Sequence, residues 1–87
     1  MKLRFHKRFI KDYDFLDQKI KAAFQERLKL FFDNPYHVKL KNHPLKGKWY
    51  GYRSINISGD IRAVYKLNDD EEEVILITIG SHSQLYG

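Results

Sequence analysis

Hydrophobic and polar positions change period several times along the chain. Leu3 and Phe5 alternate with Lys2 and Arg4, which predicts a short, half-buried first strand. From Lys7 to about Phe15, Phe9, Ile10 and Tyr13 recur at helical spacing. Asp17 is placed to cap a second helix, in which Ile20, Phe24, Leu28 and Phe31 form one apolar stripe while Lys19, Lys21, Arg27 and Lys29 decorate the other faces. Asn34-Pro35 ends it, because proline cannot continue a helix and disfavours helical geometry in the residue before it. The segment 36–48 reads as a basic loop punctuated by Pro44 and Gly47. Period-two patterning follows, with strands expected from about Trp49 to Ile57, Ile61 to Leu67 and Glu73 to Ile79. Ser58-Gly59-Asp60 turns the first pair, and the acidic run Asp69–Glu73 is read as a solvated turn in the second. The expected fold class is α+β, β-α-α-β-β-β. An antiparallel meander plus the first strand carries a two-helix layer on one face, in one domain spanning 1–87.

The hairpin register decides which side chains share a face. Pairing Ile57 with Ile61 across a three-residue turn sets Ile55 against Ala63 and Arg53 against Tyr65. Ile55, Ile57, Ile61, Ala63, Tyr65 and Leu67 then point to the core. Ser54, Asn56, Arg62 and Val64 take the open face, with Asn56 beside Arg62.

Eighty-seven residues suffice for one small domain, whose core must be efficient; six Phe, six Tyr and one Trp meet that need. The absence of cysteine excludes a disulfide scaffold and thiolate metal sites. No apolar run is long enough to span a bilayer, and the first ten residues lack the apolar core of a signal peptide, so no membrane association and a cytoplasmic location are expected. Net charge is +5, but outside the acidic run 16 basic residues face only six acidic ones, a net of +10. So basic a surface points to a polyanionic partner, nucleic acid foremost.

The candidate chemistry lies in HPLKGKWYGYRSI, GDIRAVYKL and ITIGSHSQLY, which span His43 to Tyr86. Histidines suit proton transfer near neutral pH and arginines suit phosphate. Together they match metal-free RNA cleavage, in which the 2′-hydroxyl attacks the adjacent phosphorus. A two-histidine, one-carboxylate metal site from His43, His82 and Asp60 is disfavoured, since no pair has close helical or hairpin spacing. This set of motifs resembles the YafQ branch of the RelE toxin superfamily, the small toxins of type II toxin–antitoxin operons. The resemblance implies an mRNA interferase working without a cofactor. Its expected partners are mRNA, the ribosome and a cognate antitoxin.

By the same resemblance, His43 and His82 share the acid–base work, Asp60 orients a histidine, Arg62 stabilises charge at the phosphate, and Tyr86 stacks on a base or aids proton transfer. Arg53, Asn56, Lys46 and Lys48 contact the substrate. Trp49 and Tyr52 are read as packing, and His6 and His37 as surface residues. Asn56 departs from the pattern, because YafQ relatives often carry a histidine there and asparagine transfers no proton at neutral pH. That departure keeps an inactive RNA-binding relative in play, beside a non-enzymatic inhibitor of gyrase like the ParE-type toxins.

Overall fold

The computed structural model describes residues 2–68, 70 and 72–86. Strand β1 (Lys2–Phe5) leads into helix α1 (Lys7–Asp14) and helix α2 (Gln18–Asp33). A short strand β2 (His43–Pro44) precedes β3 (Arg53–Ser58), β4 (Ile61–Asn68) and β5 (Glu73–Ser81), and a short helix α3 (His82–Tyr86) follows. The five strands form one sheet in the order β1-β5-β4-β3-β2, with β1 parallel to β5 and the other pairs antiparallel.

The helices begin where side chains satisfy free backbone donors. Asp17 Oδ1 accepts from the Ile20 N–H at 2.9 Å, as expected for an N-cap. His6 has a role the sequence reading missed: its Nδ1 accepts from the Arg8 N–H at 3.0 Å and caps α1. His37 does the same for a 3₁₀ turn at Val38–Leu40, accepting from the Lys39 N–H at 3.1 Å. The stripe of α2 buries Phe24 and Phe31 against Ile55, Ile57, Ala63, Tyr65, Val74 and Leu76, joined by Phe9 from α1. Each such side chain contributes about 1.5–3 kcal/mol by leaving water. Ile10, expected on the buried stripe, is instead 53% exposed.

The hairpin keeps most of the expected register, with Arg53 opposite Tyr65, Ile55 opposite Ala63 and Asn56 opposite Arg62. At the tip Ser58, not Ile57, pairs with Ile61 across a bulge, so Gly59 and Asp60 alone make the turn. Gly59 adopts φ 50, in the left-handed region where glycine carries no Cβ penalty. A second irregularity lies in β5, where Val64 pairs with Thr78 but Tyr65 with Leu76.

Three expectations about exposure are corrected. Leu67, expected to point to the core, is 40% exposed near the end of β4. Ser54 and Val64 are fully buried, not on an open face. By alternation Val64 shares its side of β4 with Arg62 and Lys66. Arg62 lines a cleft with Trp49, and the Lys66 ammonium sits 5.8 Å from the Tyr52 ring centre, so the segment before β3 packs against this side of β4, which is not open to solvent. Glu73 is not part of a solvated turn. It opens β5 with 7% exposure, and its Oε1 lies 3.8 Å from Arg4 Nη1. Asp69 and Glu71 of the acidic run lie outside the described residues.

Candidate active site

The loop before β3 and the end of β5 meet across the sheet. The chain takes a left-handed residue at Lys41 (φ 48), which turns it into β2. His43 then pairs with Ser54 of β3. Its Nδ1 lies 2.7 Å from the Lys41 carbonyl oxygen. A carbonyl only accepts, so Nδ1 carries the proton, and in the neutral ring Nε2 is left with the free lone pair.

On the opposite wall β5 runs directly into α3. Ser81 and Gln84 cap this helix reciprocally: Ser81 Oγ accepts from the Gln84 N–H at 3.2 Å, and Gln84 Oε1 accepts from the Ser81 N–H at 2.8 Å. The His82 N–H donates to the Asp60 carbonyl at 3.1 Å, tying α3 to the β3–β4 turn. His82 and Tyr86 stand one helical turn apart, with ring centres at 4.8 Å and planes at 68°. The Tyr86 hydroxyl is buried without a hydrogen-bond partner among the described residues.

Between these walls lies a cleft of about 450 Å³ lined by His43, Leu45, Lys46, Trp49, Arg62, His82 and Tyr86. Arg62 of β4 lines it as well, with one guanidinium nitrogen donating to the Gly59 carbonyl at 3.1 Å and no other hydrogen bond from its side chain among the described residues. Five predicted site residues thus converge from three separate parts of the chain. Such a set can take up a proton, deliver another and hold a phosphate between them.

The other predicted residues lie elsewhere. Arg53 is on the helix-covered face beside Tyr65. Its Nε donates to Asn42 Oδ1 at 2.9 Å, and its guanidinium sits 5.6 Å from the Tyr36 ring centre. Asn42 also donates to the Tyr65 hydroxyl at 2.7 Å and to the Pro35 carbonyl at 2.9 Å, so Arg53 is built into a structural network. Burial holds the Tyr65 phenol above its ordinary pKa of 10.0, against the opposing pull of Asn42 and Arg53. Asn56 donates to the Gly59 carbonyl at 3.1 Å, next to Arg62 but outside the lining of the cleft. Lys48 is exposed in a 3₁₀ turn (Gly47–Trp49), also off the cleft. The Asp60 carboxylate is exposed, and the contact of this residue with His82 runs through its backbone. Among the described residues, no group of three or more histidine and carboxylate side chains is gathered closely enough to hold a metal ion.

Trp49 is the lining residue that sequence reasoning assigned to packing alone. Its indole N–H donates to the Leu85 carbonyl at 3.1 Å, across 36 positions of sequence, and so fastens the loop to α3. The one local hint was an aromatic pair, Trp49-Tyr50, held between Gly47 and Gly51, both of positive φ.

Known proteins resemble this chain in sequence and in fold. A family described as "Bacterial toxin of type II toxin-antitoxin system, YafQ" matches residues 1–87. The mRNA interferase toxin YafQ of Escherichia coli K12 is 36% identical over 53 residues, which cover 61% of this chain and 55% of that relative. The chain thus aligns with only about half the length of this curated relative. The crystal structure of YafQ from E. coli BL21(DE3) superposes with a TM-score of 0.82 at 25% identity, covering 98% of this chain and 97% of that one. YafQ in the E. coli DinJ–YafQ toxin–antitoxin complex gives a TM-score of 0.78 at 25% identity, covering 98% and 96%.

Proposed function

Since the chain belongs to the YafQ family of bacterial type II toxins, we propose that it is an endoribonuclease that cleaves mRNA through the cleft between β2 and α3. The observation that carries this reading is the meeting of His43, Arg62, His82 and Tyr86 around one space. His43 Nε2 removes the proton of the 2′-hydroxyl, whose oxygen attacks the adjacent phosphorus. His82 donates a proton to the departing 5′-oxygen, leaving a 2′,3′-cyclic phosphate. Arg62 and Lys46 carry the negative charge that accumulates on the phosphoryl oxygens. Tyr86 supplies an aromatic face for a base, while its buried hydroxyl points away from the reach of the RNA. Asp60 and Asn56 act by shaping the turn that receives His82 and Arg62. Arg53 and Lys48 are not among the residues that line the cleft, so no role at the scissile phosphate is assigned to them.

The basic surface supports mRNA and the ribosome as partners, and the toxin–antitoxin complex of the E. coli relative supports a cognate antitoxin, with the cytoplasm as the place of action. Incubating the pure protein with mRNA, with and without ribosomes and with and without EDTA, tests the activity. Cleavage unaffected by EDTA is expected. Intact mRNA in every arm would eliminate the endoribonuclease.

A further inference from the structure

A line of contacts outside the cleft leads to Trp49. Thr78 Oγ1, fully buried in β5, donates to Asp12 Oδ2 of α1 at 2.7 Å. The same oxygen faces Arg8 Nε at 3.8 Å, and the Arg8 guanidinium carbon lies 5.7 Å from the Trp49 ring centre. Trp49 in turn holds the Leu85 carbonyl. Arg8, Asp12, Thr78 and Leu85 line a second recess of about 380 Å³, separated from the cleft by α3.

We propose that Arg8 and Asp12 are positioning residues for the cleft, holding the Trp49 indole so that the loop bearing His43 and the helix bearing His82 and Tyr86 keep their spacing. The inference rests on the endoribonuclease reading only for its kinetic consequence. The Arg8–Asp12 pair on its own is a half-exposed ion pair and adds little stability. Its geometry is different, because Thr78 fixes the carboxylate, the carboxylate draws the guanidinium to it at 3.8 Å, and the guanidinium sits over the indole. Helix α3 has only five residues, too few to be stable without tertiary contacts such as the Trp49 bond. Small displacements of acid–base groups have large kinetic effects, so a modest contact at this point outweighs its share of stability.

Trp49 is the only tryptophan, so its fluorescence reads the network directly. Arg8→Gln and Asp12→Asn should shift its emission to longer wavelength and raise acrylamide quenching. Both should lower kcat by roughly fivefold, the equivalent of one cation–π contact, with KM little changed. Arg8→Lys, which keeps the charge but loses the planar fork, should fall between. Lys11→Gln removes one charge from the same exposed helix and should leave emission and kcat as in the wild type. Asp12→Asn makes the surface more basic, so simple RNA attraction predicts tighter binding and no loss of kcat. Wild-type quenching in Asp12→Asn, or a kcat loss no larger than that of Lys11→Gln, would overturn the proposal. Should the wild type cleave no RNA, the endoribonuclease reading falls, and the quenching contrast between Asp12→Asn and Lys11→Gln still decides the positioning role.

Discussion

Single side chains here are committed either to the cleft or to the frame, and Tyr86 and Tyr65 show the two cases. The Tyr86 hydroxyl is buried with no partner among the described residues, a cost of about 1–3 kcal/mol for such a group. Tyr86→Phe should therefore leave thermal stability unchanged or raise it. RNA affinity should stay as in the wild type, because phenylalanine keeps the stacking face and the buried hydroxyl meets no phosphate, as read by titration of a non-cleavable RNA. A fall in affinity would mean that the hydroxyl reaches the RNA. Tyr65 belongs to the frame. Its pKa is raised above 10.0 by burial, so the folded state holds the phenolic proton more tightly than the unfolded chain does. Below pH 10 both states are protonated and the residue adds no slope. Above it stability falls with pH until the folded pKa is passed. Tyr65→Phe should cost about 1 kcal/mol at neutral pH through the lost Asn42 bond and should show a shallower alkaline fall in urea titrations than the wild type. Equal slopes in the two proteins would mean that burial at this site does not govern the titration.

At the scale of elements, α3 is held by its capping pair and by Trp49. Gly80 leaves room for that pair, because a Cβ there would come within 2.9 Å of Gln84 Oε1. Gly80→Ala should displace this flexible amide, break the reciprocal cap and cost about 1 kcal/mol. Faster amide exchange at 82–86 and slower RNA cleavage should follow. Protection like that of the wild type would show that the cap does not hold the helix. The periodic elements were legible in the sequence because local pattern dictates them. The α2 stripe, the Asp17 cap and the Asn56–Arg62 pairing all follow from side-chain alternation and capping chemistry. The bulge before Ser58, the two-residue β2 and the covering of Val64 were not legible. Each depends on contacts between segments far apart in sequence, which no local period encodes. The same holds for the site. His43, Arg62, His82 and Tyr86 were recoverable from residue type and motif. The turning of Arg53 to the other face follows from register, and the Trp49 clamp and the Arg8–Asp12 support from tertiary packing alone.

Across the whole molecule, an excess of ten positive charges outside the acidic run is expected to govern the first capture of RNA under the proposed function. Neutralising phosphates releases counterions, so RNA affinity should drop by at least roughly an order of magnitude between low and physiological salt. A flat response would remove electrostatics from the account of binding. Capture and chemistry separate at His82. The most direct measurement is the pH–rate profile of RNA cleavage by His82→Ala beside that of the wild type. A loss of roughly 10²–10⁴-fold is expected, with one limb of the profile flattened because a proton carrier is gone. The variant should stay folded, since His82 is exposed. Cleavage at the wild-type rate with an unchanged profile would contradict the assignment of this cleft as the place where RNA is cut.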